Sequence, residues 1–217
     1  MGDAETGGAG GGTTGSPGAA GPTVPPGAVA VVGFPEDLVT TAVTPSGDEL
    51  SLRPIRPDDA AALVGFHHDL SAQSVYRRYF FVHPVLSEDE VHRLTRVDYV
   101  DRLALVAEID GRLVAVGRYD REAGTDEAEV AFVVADGNQH HGIAPILLSH
   151  LTVAARRAGI TSFVAYTLVE NRDMLDVFRH AGHPVATEVD EGVVTVRFPI
   201  DDHEAARAGA GAGGPAC

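Results

Sequence analysis

The stretch from Glu129 to Ile160 carries the residues whose types and spacing could do chemistry, and holding an anion is the chemistry they suit. Gly142 and Ala144 stand where a helix should begin, so ligand oxygens could approach the backbone N–H groups there closely. A helix N-terminus leaves about four such donors unpaired and carries roughly half a positive charge. A diphosphate is the natural ligand. Two other phosphate cradles are ruled out: the chain has no lysine, hence no G-x-x-x-x-G-K-[ST], and no G-x-G-x-x-G follows an expected strand. Glu127 and Glu129 precede the turn on one strand face, where each reads either as a proton acceptor or as a solvated strand-edge carboxylate. His140 and His141 make a poor metal site, because adjacent side chains point apart and spacing supplies no third ligand.

A strand, a turn and a helix must position these groups. Val130 to Val134 is a continuous β-branched and aromatic run, ended by Asp136-Gly137-Asn138. Ile143, Leu147, Leu151, Ala154 or Ala155, and Ala158 then recur at helical steps, an apolar stripe that should pack on a sheet, with Gly159 at its C-terminal cap. Pro145 fits a first helical turn and sets the helix start at about His141 to Ala144. Upstream, Thr40 to Leu52 reads as a hairpin around Ser46-Gly47-Asp48, and Pro57-Asp58-Asp59 opens a helix. Further helices are expected near Gln73 to Tyr79 and Glu88 to Thr95, the latter opened by a capping box at Ser87. Arg102 to Ile109 and Arg112 to Tyr119 are strands joined by Asp110-Gly111, a type I′ hairpin signal. Downstream come a strand over Ser162 to Leu168, a helix from Asn171 capped by Gly182, and a closing hairpin of Val185 to Glu188 and Val193 to Phe198. Such an order is no nucleotide fold of repeating units.

Gln139-His140-His141-Gly142-Ile143-Ala144 resembles the Q/R-x-x-G-x-G/A signature of the GNAT N-acetyltransferases. Five further segments resemble the acetyltransferase domain of bacterial Pat-type protein lysine acetyltransferases: SLRPIRPDDAAAL from Ser51, SAQSVYRRYFF from Ser71, VDYVDRLALVA from Val97, GRYDREAGTDEAEVAFVV from Gly117 and LVENRDMLDVFRHAG from Leu168. The likeness runs from about residue 34 to 200. It implies an α/β GNAT fold, with a central mixed, mostly antiparallel twisted sheet of six to seven strands flanked by about four helices.

By the same resemblance acetyl-CoA is the co-substrate and no metal takes part. The backbone of Phe132, Val133 and Val134 would pair with the pantetheine amides, Gln139, His141, Gly142, Ile143 and Ala144 would hold the pyrophosphate, and Asn171 would reach the pantetheine arm. A lysine with a pKa of about 10.4 needs a base before it can attack. Glu129 matches the glutamate that serves as base in the Pat-type enzymes, with Glu127 the second candidate. His140 and His141 replace the family's usual glycine and basic residue, so phosphate should be gripped less firmly than by arginine. Phe178 stands where many members carry a tyrosine that protonates the departing thiolate, leaving that step to water. The implied acceptor is a protein lysine, an acyl-CoA synthetase among the candidate partners. The alternatives are a small-molecule amine, or a non-catalytic acyl-CoA-sensing module.

Composition bounds the rest. The 217 residues suit one domain over 28–200, between a Gly/Ala/Pro-rich tail at 1–27 and a loose tail at 201–217, both expected to be disordered. A net charge of −15 argues against nucleic acid or an anionic membrane as partner and favours a cationic substrate. Cys217 is the sole cysteine, which excludes an internal disulfide framework. With no apolar run near the ~20 residues of a membrane span and no signal-peptide pattern, the expected location is the cytoplasm. Tyr76, Tyr79, Phe80 and Phe81 read either as core or as lining of an acceptor channel.

Overall fold

The computed structural model describes residues 33–201, so the expected tail over 1–27 and nearly all of that over 201–217 lie outside the described residues. Eight strands form one sheet: β1 (Thr40–Val43), β2 (Glu49–Pro54), β3 (Arg102–Ile109), β4 (Arg112–Arg121), β5 (Glu127–Val134), β6 (Ser162–Leu168), β7 (Ala186–Asp190) and β8 (Val193–Pro199). Five α-helices accompany them: α1 (Ala60–His68), α2 (Ala72–Tyr79), α3 (Glu88–Thr95), α4 (Ile143–Arg157) and α5 (Arg172–Arg179). The strand order is β1-β2-β3-β4-β5-β6-β8-β7. Every neighbouring pair is antiparallel except β5 with β6.

The mixed, mostly antiparallel sheet is the expected one, with eight strands in place of six or seven and five helices in place of about four. The two edge strands are the outer halves of the hairpins expected over Thr40 to Leu52 and Val185 to Phe198, so only the count implied by the resemblance was short; β7 is exposed along its whole length and β1 half so. At the tight turn between β3 and β4, Asp110 and Gly111 both have positive φ (51° and 73°), as a type I′ turn requires. α5 ends slightly earlier than a cap at Gly182 implies: His180 is its cap residue, and Gly182, at φ +80°, redirects the chain beyond it.

Strand alternation divides the core between the two sheet faces. Leu103 and Leu105 join Tyr119, Phe132, Phe163, Phe178 and Phe198 beneath Leu147 and Leu151 of α4. Ala104 and Val106 face the other way and pack with Ile55, Leu63, Phe66 and Val116 under α1 and α3. Gly117 makes the close approach of α4 possible, since a Cβ there would lie 2.9 Å from the Phe132 ring and 3.2 Å from Leu147 Cβ. The sheet is thus clamped on both faces around its middle strands, and the functional geometry comes from where β5 and β6 part.

Candidate active site

β5 and β6 pair only from Glu127↔Ser162 to Glu129↔Val164. Beyond that point β5 follows β4 to Val134, while β6 follows β8 to Leu168. Their divergence opens a cleft of about 390 Å³ and leaves one backbone edge of β5, from Val130 onward, without a strand partner. Apart from His141 and the second candidate base Glu127, the site residues named from the sequence all line this cleft: Glu129, Phe132, Val133, Val134, Gln139, Gly142, Ile143, Ala144 and Asn171.

The turn ahead of α4 is braced before any ligand enters. Asp136 accepts hydrogen bonds from Ser71 N (2.8 Å), Ser71 Oγ (2.6 Å) and Ser74 Oγ (2.8 Å), tying the turn to the first residues of α2. Gln139 Nε2 donates to Ser74 Oγ (3.0 Å) and to the Val134 carbonyl (3.2 Å), so its side chain holds the loop shut and the loop's backbone faces the cleft. Gly142 is the N-cap of α4 at φ +79°, and a Cβ there would meet Pro45 Cδ at 2.7 Å. Backbone conformation and Pro45 therefore dictate this glycine, a different reason from the ligand access expected of it. His140 adopts φ +64°, the conformation for which the family's glycine is suited, and its Nδ1 lies 3.9 Å from Asp173 Oδ1. The His141 imidazole turns to Asp48, Nδ1 to Oδ2 3.3 Å, outside the cleft lining.

Glu129 and Glu127 are distinguished by their neighbours. Glu127 has Arg197 Nε at 3.5 Å and Ser162 Oγ at 3.4 Å. Glu129 is exposed to the cleft, and neither hydrogen bond nor ion pair joins its carboxylate to a described residue. Across from it, Asp120 is held by Arg118 Nε (2.8 Å) and Arg102 Nε (2.8 Å). Asn171 is buried and caps α5, its Oδ1 accepting from Met174 N at 3.4 Å. Phe178 is buried against Phe132 and Phe198, with ring centroids 6.2 and 5.7 Å away. Of the aromatic group on and after α2, Phe80 lines the cleft, Tyr79 packs with His67 and His83, and Tyr76 and Phe81 are exposed.

The model of the acetyltransferase (GNAT) family matches residues 70–183, more than half of the chain and the whole of this cleft's β5–α4 wall. The chain belongs to the GNAT family. It is 32% identical over 158 residues to acetyltransferase Pat of Mycolicibacterium smegmatis, covering 71% of this chain and 47% of that protein; the chain spans about half the length of this relative. The crystal structure of the GNAT domain of S. lividans PAT superposes with a TM-score of 0.73 at 40% identity, covering 76% of this chain and 99% of that domain. A putative acetyltransferase from Salmonella typhimurium, solved with its cofactor acetyl-CoA, shares the fold at 19% identity (TM-score 0.59; 77% of this chain, 99% of that one).

A GNAT cleft must accommodate acetyl-CoA, and three observations fit that ligand. The free edge of β5 offers backbone donors and acceptors to an extended amide chain, in the manner of an added strand. Thr167 Oγ1 lines the cleft and is buried with no hydrogen-bond partner, a group that a ligand amide would satisfy. The N-terminus of α4 presents unpaired amides from Gly142 to Ala144 at one end. Sequence reasoning missed Thr167, Ser74 and the pair Arg77 and Arg78, all of which line the cleft. Thr167 follows Tyr166 near the end of the mostly apolar run Ser162–Leu168 and carried no signal of its own; the two arginines gave none either, since a charged pair on a short helix ordinarily marks a solvated face. Among the described residues no cluster of three or more His, Cys, Asp or Glu side chains could hold a metal, and no helix is long and apolar enough to cross a membrane.

Proposed function

We propose that the chain transfers an acetyl group from acetyl-CoA to an amine, in the first instance the ε-amine of a lysine on another protein, with Glu129 as general base. The observation that supports this is the isolation of Glu129 within the cleft. The other cleft-lining carboxylates, Asp173 and Asp176, have Arg77, His140 or Arg179 within 4 Å, whereas Glu129 has no such neighbour among the described residues. An exposed, unpaired carboxylate beside the point where β5 loses its partner is placed to take a proton from an ammonium, directly or through water.

Acetyl-CoA supplies an acyl group activated as a thioester and a thiolate that leaves without strong acid assistance. The residues supply position and protons. The edge of β5 from Phe132 to Val134 holds the pantetheine amides, and an amide N–H there polarises the thioester carbonyl. The amides at the start of α4 hold the diphosphate, and Asn171 and Thr167 offer side-chain polar groups to the arm between. Phe178 has no proton to give, which leaves protonation of the thiolate to water. A chain charge of −15 draws cationic acceptors, and the likeness to Pat-type enzymes favours protein lysines, an acyl-CoA synthetase being the first to try.

The test is thiol release from acetyl-CoA with a lysine-containing acyl-CoA synthetase as acceptor, alongside a panel of polyamines, amino acids and aminoglycosides, with acetyl-lysine located by mass spectrometry. Release with the panel alone would replace the protein acceptor by a small amine. Binding of acetyl-CoA without release under any condition would leave only a sensing role.

A further inference from the structure

Among the described residues Arg78 has neither a hydrogen-bond nor an ion-pair partner. It is the penultimate residue of α2, and it lines both the main cleft and a second cavity of about 30 Å³ bounded by Ile55, Leu63, Leu94, Val116 and Val133. Its nearest ring, Tyr79, has its centroid 5.2 Å from Cζ. The neighbouring Arg118 is committed to Asp120, and Arg77 leans toward Asp173 at 3.9 Å on the pyrophosphate side. Arg78 shares the small cavity with Arg118, Ala131 and Val133, which sets it beside the stretch of β5 that follows Glu129, where acyl group and acceptor would meet.

A guanidinium keeps its charge even where burial pushes its pKa down, as it does here. Arg78 is half-buried and no described carboxylate pairs with it, so an anion arriving with the ligand would meet an uncommitted guanidinium. Arginine's planar fork suits a carboxylate, which it takes through two parallel N–H···O bonds. Arg78 lines both the cleft and the small cavity beside it, which Arg118 and Tyr79 also line.

We propose that Arg78 forms a carboxylate subsite at the reacting end of the cleft, filled either by the far carboxylate of a dicarboxylic acyl-CoA or by a carboxylate of the acceptor. The inference rests on the acyltransferase reading above and names a substrate class for it.

Calorimetric dissociation constants separate the two sources and require no turnover. Succinyl-CoA and butyryl-CoA have the same four-carbon acyl length and differ in the carboxylate. N-acetyl-lysine and its amide, titrated in the presence of CoA, differ in the same way. In the wild type, one carboxylate-bearing member should bind about 10- to 100-fold more tightly than its counterpart without the carboxylate. Arg78→Gln should bring that ratio to about one, and Arg78→Lys should keep part of it. The pair whose ratio collapses identifies the source. Carboxylate-free members bound as in the wild type show that each variant is folded. Both ratios unchanged within about twofold in Arg78→Gln, or no carboxylate preference in the wild type, would overturn the subsite. Failure of the acyltransferase reading shows separately, as absence of thiol release by the wild type.

Discussion

Glu129 stands directly across the β4–β5 ladder from Asp120. Two carboxylates so placed repel each other, yet their surroundings give them different work. Burial alone would push the Asp120 carboxyl up, but the charge of Arg118 and hydrogen bonds from Arg118 and Arg102 hold it below the usual carboxylate range. Asp120 is thereby fixed as part of the scaffold. Glu129 has no such donors among the described residues, which suits the role proposed for it.

Glu129→Gln keeps the shape and removes the proposed base. Turnover at pH 7 should fall about 10²–10⁴-fold while acetyl-CoA affinity stays near that of the wild type. Raising the pH should recover part of the loss, because more of the acceptor amine is then already neutral. Glu127→Gln disturbs only its contacts with Arg197 and Ser162 and should change turnover by less than about twofold. Thiol-release rates for the three proteins across pH check this; equal rates for Glu129→Gln and wild type at pH 7 would remove Glu129 from the mechanism.

His140 occupies a left-handed conformation at φ +64°, at a cost of about 1–2 kcal/mol for a residue with a Cβ. His140→Gly relieves that strain but gives the unfolded chain more freedom, worth about 0.4–1 kcal/mol in the opposite sense. A net gain of about 0.5–1 kcal/mol is expected from the difference. His140→Val should lose stability instead, since a β-branched residue is least suited to positive φ. Chemical denaturation of both variants decides it, and a less stable glycine variant would show that the contact with Asp173 outweighs the backbone strain.

The strand, turn and helix around Gly142 were legible because their signals are local: an apolar run, turn residues, a proline in a first helical turn. The parting of β5 and β6 was not. It arises because β6 continues on β8 while β5 continues on β4, a matter of strand order that no window of sequence contains. The same distinction runs through the side chains. Gln139 was readable as part of a motif, but its bonds to Ser74 and Val134, which make it a brace, depend on where α2 lies. His141 reads as phosphate-facing until the turn between β1 and β2 brings Asp48 beside it. Arg78 has no sequence signal, since only the assembled fold shows that its charge is unmet.

Acid should loosen the join between α2 and the turn before α4. Burial pushes the Asp136 carboxyl up, but hydrogen bonds from the side chain and backbone of Ser71 and the side chain of Ser74 outweigh it and hold the pKa low. A carboxylate whose folded pKa lies below its unfolded value, about 3.9, contributes stability that is present above that pH and is lost as pH falls through the folded value. Asp48, Asp59 and Asp120 are depressed as well and act in the same direction. Melting temperature should therefore fall below about pH 4, and less steeply in Asp136→Asn than in the wild type. At neutral pH Asp136→Asn should cost about 1 kcal/mol, a value reduced by the exposure of the group. Identical acid slopes for the two proteins would contradict the depressed pKa.

The chain contains no lysine, which removes a common source of confusion for a lysine acetyltransferase. All sixteen basic residues are arginine, and a guanidinium is not an acyl acceptor at neutral pH because it is protonated there. The α-amine of the first residue is then the one amine at risk. Its pKa, about two units below that of lysine, leaves a larger neutral fraction at pH 7. Intact-mass measurement after prolonged incubation of the 217-residue chain with acetyl-CoA should show no stable addition or a single acetyl group. Treatment with hydroxylamine removes a thioester at Cys217 and esters at hydroxyls, so what survives is bound to nitrogen. Two or more surviving acetyl groups would mean that the cleft acylates something other than amines, and the acceptor chemistry assigned to Glu129 would fail with it.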